Sequence, residues 1–487
     1  MNKKSHLAML CVIGALSLTA QALAAEDENA LFSDSGSSVI DSSQFMKSQA
    51  PSAGSTTTQQ TVPVSTVGLH SSGQLSASAT TSLGRDNTGE PGLNDLHGTH
   101  APTYSSQMIA DLFLDARASD DTKAFASIEG TYLSDSSKTS AVLHELFLDF
   151  NIRRHVYFRV GKQVLQWGTC YFWHPSDLVN VDHKAFVQQL GSLDGNYGIR
   201  MHVPFGTRAN IYGFLDTKGA KQPNEIKGTG KLEVLLGTTE TSLSLWKKKD
   251  MDPVYAGDIS SSIKSWSVSA EAAIMPQGFD TLLAIQNDTL FAKPSNIKPR
   301  AALSFGRSFD CLNVTNRIHV QYEMYYNGLG YDKNPYADLR NYTWQNGVVL
   351  DSALAAKVRT YMPTMSTTVS SGPQALWIFL NGPVSPYSLG RYYAAVFTSI
   401  SQFIDQDLTL SFNGLMNVTD RSVITTTTLS YSTLQNLTLQ IMAITMGGSF
   451  PGENTVSYAT PIMHGKSIGV QYQGQRLILQ AAATYSF

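Results

Sequence analysis

The sequence predicts an all-β fold, a transmembrane antiparallel β-barrel of about 18 strands within a range of 16–20. Three observations carry this. Segments of about ten residues alternate apolar and polar positions, and ten residues is the length at which a tilted strand crosses a bilayer. The chain ends on such a segment: in Arg476–Phe487, Leu477, Leu479, Ala481, Ala483, Tyr485 and Phe487 share one face, and Ile478, Gln480, Ala482, Thr484 and Ser486 the other. Beyond the N-terminus, no run reaches the ~18 apolar residues of a spanning helix, which leaves the closed barrel as the other structure that satisfies every backbone group in lipid.

The N-terminus reads as an export signal. Lys3 and Lys4 precede an apolar run from Leu7 to Ala15, and Ala22-Leu23-Ala24 is a small-x-small cleavage site, so residues 1–24 form a signal peptide. Cys11 lies inside the apolar run, which argues against a lipoprotein. Loss of Lys3 and Lys4 moves the formal net charge from −3 to −5, a balance that speaks against nucleic acid as a partner. Charged residues make up 15% of the chain, against about 25% in soluble domains. Residues 25–70 open with Glu26, Asp27 and Glu28, continue in Ser, Thr and Gln, and lack periodic apolar positions, so they read as a flexible periplasmic arm. The barrel is expected over 71–487.

Within it, Met108, Ala110, Leu112, Leu114 and Ala116 face out, and Asp111, Asp115 and Arg117 face in. The next strand, Lys123–Leu133, turns Glu129 inward. Val142, His144, Leu146, Leu148 and Phe150 then face out against Glu145 and Asp149, and a turn at Arg153-Arg154-His155 leads to Val156, Phe158 and Val160, with Arg159 inward. The scheme recurs with Arg200 and His202 inward, then Glu271, then Arg317, His319, Gln321 and Glu323. Short turns fall near Ser119, Arg153, Gly206, Thr238, Pro276 and Ile404; long loops fall at 85–106, 168–197, 216–228, 248–262, 328–388 and 448–463, the asymmetry of short periplasmic and long outer connections. Asp351–Tyr361 fits a short helix, Trp377–Leu380 a strand or plug piece, and His183–Leu190 another short helix. Both termini belong in the periplasm, so the strand number is even. The parity is decided in 448–475, where either Val456–Ile462 adds a strand or Lys466–Gln473 belongs to an outer loop. The two mature cysteines, Cys170 and Cys311, fall at opposite ends of the barrel and are expected to be unbridged.

The segment Val156–Asn180 carries the most distinctive residues. Gly161-Lys162-Gln163, Trp167-Gly168 and Pro175-x-Asp177-Leu178-x-Asn180 resemble a family of porin-like bacterial outer-membrane barrels, distantly similar to alginate-export and carbohydrate-handling porins, in which a strand ends in Gly-Arg/Lys-Gln before a Trp-Gly pair and a Pro-x-Asp-Leu-x-Asn loop. Asn417-Val418-Thr419-Asp420-Arg421-Ser422 is similar to an Asn-x-x-Asp-x-Ser turn of such proteins. The terminal Phe487 resembles the signal read by the barrel-assembly machinery. These motifs cover some forty residues; Cys170 and the 328–388 insertion depart from the pattern. The resemblance implies an outer-membrane location, porin-type passage of small hydrophilic solutes, and as partners outer-membrane lipid and lipopolysaccharide, periplasmic chaperones and the assembly machinery, with a homo-oligomer open.

Physically, Val156–Asn180 reads as strand, rim and loop, with Trp167 at the outer interface. The loop either folds into the lumen as a constriction or packs on the mouth. His174, Asp177, Asp182 and His183 fit no zinc-protease spacing and no Gly-x-Ser-x-Gly elbow, so neither a metal, a cofactor nor a catalytic residue is expected. The strand phases put Arg117, Arg159, Arg200, Arg317, Arg391 and Arg476 inside with Asp111, Asp115, Glu129, Glu145, Asp149, Glu271 and Glu323. These line a mixed lumen or brace the wall as cross-strand pairs; Arg159 and Arg200 facing Glu145 and Asp149 would set a transverse field. Two rival readings are a closed-lumen, surface-binding barrel using 328–388 and an outer-membrane hydrolase.

Overall fold

The computed structural model describes residues 68–87, 103–119, 121–134, 138–180, 195–279, 281–335, 343–361, 366–371, 378, 389–434, 436–449, 452–455 and 472–487. The expected signal peptide, nearly all of the expected arm, Asp182, the expected helix 183–190 and residues 456–471 lie outside them.

The strands in chain order are β1 (Gly68–Asn87), β2 (Thr103–Ser119), β3 (Thr122–Leu133), β4 (Lys138–Ile152), β5 (Val156–Gln163), β6 (Asn196–Phe205), β7 (Ala209–Asp216), β8 (Lys227–Leu236), β9 (Thr239–Lys248), β10 (Val254–Ile263) and β11 (Trp266–Met275). There follow β12 (Thr281–Gln286), β13 (Thr289–Pro294), β14 (Lys298–Cys311), β15 (Val314–Asn327), β16 (Thr343–Leu350), β17 (Thr368–Ser371), β18 (Tyr392–Ile400), β19 (Leu408–Asn417), β20 (Ser422–Leu434), β21 (Leu437–Gly448) and β22 (Tyr472–Ser486). Eighteen of these make one sheet, each strand antiparallel to its neighbours, and β22 pairs back on β1 to close it. Closure removes every free edge, which a lipid-exposed sheet cannot leave unpaired. The end of the chain completes the seam: Phe487 and Gly73 exchange backbone hydrogen bonds of 2.8 and 2.9 Å. A Cβ on Gly73 would meet the Phe487 ring at 2.8 Å, so the ring lies over a residue with no side chain.

The outer surface is apolar and banded. Leu146, Leu148, Ile199, Leu243, Leu245, Ile259, Ile274, Met324, Ile441 and Leu479 are all exposed. At the long-loop end of the strands this band is bordered by exposed Tyr104, Tyr132, Tyr197, Tyr255 and Tyr392, and at the short-turn end by Phe205, Trp266, Phe309, Tyr431 and Phe487. An apolar belt between two aromatic rings is the surface of a membrane-spanning barrel, because amphipathic rings are most stable at the two lipid–water interfaces.

Two corrections concern connections. The stretch 248–262 is mostly strand β10, and the chain turns at Lys264-Ser265, not at Pro276. Gly257 and Ser260, Ser261 and Ser262 dilute the alternation of β10, although Val254, Ala256 and Asp258 are buried and Tyr255, Ile259 and Ile263 exposed. Pro276 begins an excursion at the long-loop end. There β12, β13, β16 and β17 form a second sheet, and helix α1 (Ser352–Tyr361), at the place expected, packs on it through Leu290, Val348, Leu350, Leu354, Val358 and Ile378. Of Trp377–Leu380, Ile378 alone is described. The first strand starts at Gly68, ahead of 71.

A third correction concerns His144. Ser127 pairs with Glu145 but Ile128 with Leu143, so a β-bulge inserts His144, and its Nε2 meets Glu129 Oε2 at 3.1 Å instead of facing lipid. Cys170 and Cys311 are both free, as expected.

Gly161 sits where β5 crosses β4 most closely. Its φ is +132°, and a Cβ would lie 2.2 Å from the Leu146 carbonyl oxygen. Gly161→Val is expected to destabilise the barrel by about 3 kcal/mol from backbone strain and steric overlap together, read as a lower urea midpoint in micelles. Gly130→Ala, whose Cβ would find its nearest neighbour at 3.8 Å, is expected to leave the midpoint unchanged.

Candidate functional site

The chain leaving β5 does not cap the mouth. Residues 164–180 enter the barrel and cross to the opposite wall. Leu165, Trp167, Cys170, Phe172, Trp173, Leu178 and Val179 are buried there. Trp167, expected at the outer interface, is 2% exposed and packs inside with Tyr212 and Phe214 of β7. At the far wall Trp173 stacks on Tyr325 of β15 with ring centres 5.3 Å apart and planes at 10°, and Phe172 stacks on Phe397 of β18 at 5.7 Å.

Two wall carboxylates hold this loop. Glu271 of β11 accepts hydrogen bonds from the backbone N–H of Thr169 (2.6 Å), Cys170 (2.5 Å) and Ser176 (3.0 Å), and from the Ser176 hydroxyl (2.7 Å). Glu323 of β15 accepts from the N–H of Tyr171 (2.8 Å), Phe172 (3.0 Å) and Trp173 (2.6 Å), and from the Ser304 hydroxyl (2.9 Å). An irregular loop inside a barrel has no ladder for its amides. An acceptor-only carboxylate satisfies several at once, and charge-assisted bonds are about twice as strong as neutral ones. On the near side, Lys231 donates to the Trp167 carbonyl at 2.9 Å, and Asn180 donates to the Leu165 carbonyl at 2.6 Å and to Asp177 at 2.7 Å. Gly168 makes room for the His174 ring: a Cβ would stand 2.4 Å from its Nδ1. Burial opposes charge on His174, but the hydrogen bond and charge of Glu271, with Glu323 and Asp177 nearby, hold it above the usual histidine range. Burial pushes Asp177 up to about 6 against the Asn180 hydrogen bond.

Seven of the lumenal charges anticipated from sequence fall into two groups. Asp111 accepts from Gln74 at 2.8 Å, and Asp115 contacts Lys123 at 2.9 Å and Arg117 at 3.6 Å, all on the β1–β3 wall. The others lie at the root of the loop. Arg159 donates to Asp149 at 2.7 and 2.9 Å from the adjoining strand, Glu145 accepts the Val164 N–H at 2.9 Å, and the Arg200 guanidinium lies 5.6 Å from the Tyr212 ring centre. Arg159 and Arg200 therefore share one wall with Glu145 and Asp149, on neighbouring strands β4 to β6, and do not face them across the lumen. Arg317 binds the carbonyls of Ser401, Gln402 and Phe403 in a short turn, and Arg391 pairs with Asp332. The Arg476 side chain lies outside the described set.

A second polar knot lies at the long-loop end. Asn417 Nδ2 lies 2.6 Å from the Tyr331 hydroxyl and 2.7 Å from Glu453 Oε2. Tyr393 donates to Glu453, and the Glu453 N–H and the Tyr331 hydroxyl donate to Asp420, each at 2.7 Å. The Asn417–Ser422 turn thus ties Tyr331, Leu389 and Tyr393 to Glu453. Burial, reinforced by the Asp420 charge, pushes Glu453 up to about 7. Sequence phases did not single out Tyr325, Tyr393 or Phe397; the signal present was large aromatics in the inward phase.

No family profile and no curated protein matches the chain. Among solved structures, OccAB4 of Acinetobacter baumannii aligns at 9% identity over 86% of this chain and 98% of its own, with a TM-score of 0.43. OpdQ of Pseudomonas aeruginosa aligns at 7% over 86% and 97%, with 0.45. A mutant porin of Rh. blastica aligns at 9% over 85% and 99%, with 0.36. Scores below 0.5 assign neither a family nor a solute.

Glu323→Ala removes the acceptor of three backbone amides and is expected to free the loop tip. Each orphaned amide costs about 1–3 kcal/mol, so Cys170 alkylation by a maleimide should accelerate more than tenfold while Cys311 stays at its own rate. Glu453 gives a pH-dependent outcome. Its docked pKa of about 7 exceeds the ordinary 4.5, so docking of 449–455 is strongest below about 4.5, weakens as pH rises towards 7, and is flat above. Amide exchange at 452–455, corrected for intrinsic rates, should speed up between about pH 5 and 8 and lose that dependence in Glu453→Gln.

Proposed function

We propose that this protein is an outer-membrane channel for passive, porin-type passage of small hydrophilic solutes, running beside the inserted loop. One observation supports this above the rest: wall charges differ in their access to water. Under the loop, the Glu271 and Glu323 carboxylates are sealed, with the Glu271 side chain at 0% exposure. On the β1–β4 wall, the side chains of Asp115, Arg117, Lys123 and Glu129 are 23, 32, 17 and 18% exposed, and Gln74, Ser76, Asp111 and Thr484 are half-buried. Eighteen strands enclose more than one loop can fill. The wall away from the loop therefore carries water-accessible charges around a Phe113–Phe125–Phe147 stack, while the charges beneath the loop are sealed from water. Ser176 and His174 both bind Glu271, so they seat the loop and do not form a nucleophile–base pair. Solutes would pass between the loop and the Asp111–Asp115–Glu129 wall, with Arg117 and Lys123 as the opposing charges. Insertion would use the barrel-assembly machinery and periplasmic chaperones.

Refolded protein in a planar bilayer is expected to show ohmic single-channel steps. Asp111→Lys with Asp115→Lys should shift the reversal potential under a salt gradient towards anions, and Glu271→Ala with Glu323→Ala should raise conductance by releasing the loop. Correctly folded protein that never conducts would favour the closed-lumen, surface-binding barrel.

A further inference from the structure

Among the described residues, Arg307 is a charge on the outer surface that the belt does not account for. In β14 the outward phase runs Leu303, Phe305, Arg307, Phe309, so Arg307 points to the lipid side. Its guanidinium carbon lies 5.2 Å from the Trp266 ring centre and 4.7 Å from that of Phe309. Its Nε is buried with no hydrogen-bond partner, and among the described residues no carboxylate or carbonyl pairs with the guanidinium. Trp266 and Phe309, the two rings beside it, also line an apolar groove of about 590 Å³ together with Ile263, Val268, Phe305, Val320 and Tyr322.

The registers give this groove a direction. Trp266 pairs with Arg307, Val268 with Phe305, and Phe305 in turn with Tyr322. Arg307 is therefore level with the Lys264-Ser265 turn, at the short-turn aromatic ring, and the groove continues from it past Phe305 and Tyr322 towards the bilayer. A guanidinium whose Nε is buried without a partner, held at the interface beside an apolar groove, matches one kind of molecule: an anion carried on a hydrocarbon tail.

We propose that this groove is a binding site for a glycerophospholipid of the periplasmic leaflet. Its phosphate would bind Arg307, and one acyl chain would lie along Val268, Phe305 and Tyr322. Arg307 has planar donors suited to bidentate phosphate binding, and the two rings fix its plane. Exposed Lys264, between Ile263 and Trp266 in the chain, adds attraction for an anionic headgroup. The site rests on the membrane placement of the barrel and not on conduction, so a channel that failed to conduct would leave it standing.

The test uses full-length protein refolded into phosphatidylcholine vesicles containing a small fraction of phosphatidylglycerol with brominated acyl chains. Bromine quenches nearby tryptophan, and the Trp266 signal is the difference between wild type and Trp266→Phe. Quenching should report roughly fivefold enrichment of the brominated lipid over its bulk mole fraction, the size one basic residue contributes at an anionic surface. Enrichment should be lost in Arg307→Gln and partly kept in Arg307→Lys, with both variants showing the folded gel mobility. Quenching that follows the bulk mole fraction alike in wild type and Arg307→Gln would overturn the proposal. So would a Trp266 signal shielded from every brominated lipid by a second copy of the chain, shown by cross-linking across this face.

Discussion

The interior of this barrel is organised by two glutamates that accept backbone amides. Glu271 and Glu323 stand on β11 and β15 and bind a loop that leaves the barrel wall at β5. Two buried carboxylates are costly unless their lone pairs are filled. An extended loop away from any sheet is costly unless its amides are filled. Each feature removes the other's penalty, and the aromatic contacts of Trp173 and Phe172 then dry the far wall. The wet crescent near β1–β4, the burial of Trp167 and the seating of His174 all follow from the loop lying where these two side chains put it.

Outside, the governing constraint is closure. Every strand edge must be paired in lipid, which brings the last strand back to the first; because that closing pair is antiparallel like all the others, the strand number is even. The exchange between Phe487 and Gly73 is where the requirement is met. The aromatic rings at the two rims then place the barrel along the membrane normal, and the outward Arg307 guanidinium sits within one of those rings.

The barrel was legible in the sequence because period-two alternation reports which face a residue takes. The phases of β2, β6, β11 and β15 hold in the structure, down to the inward direction of Glu271 and Glu323. Legibility failed where the alternation was diluted or shifted by one residue. Ser260, Ser261 and Ser262 blurred β10, and the bulge at His144 reversed the phase of one strand. The destination of 164–180 was hidden for a different reason. Sequence motifs marked Gly161-Lys162-Gln163 and Trp167-Gly168 as special, but the partners of that loop lie about a hundred residues or more further on, and no local pattern connects them. Charge phases likewise placed Arg159 and Asp149 inside without showing that they are nearest neighbours across β4 and β5, a matter of register and not of periodicity.

The same long separation sets an order in time. Cys170 bonds to a side chain 101 residues later, and Trp173 to one 150 residues later. The loop is therefore made and exported well before either anchor exists in place. It can settle only after β11 and β15 have joined the growing wall, and until then its amides must be served by water. Residues 164–180 are accordingly a late addition to the interior: the wall strands that carry Glu271 and Glu323 stand before the loop is seated between them.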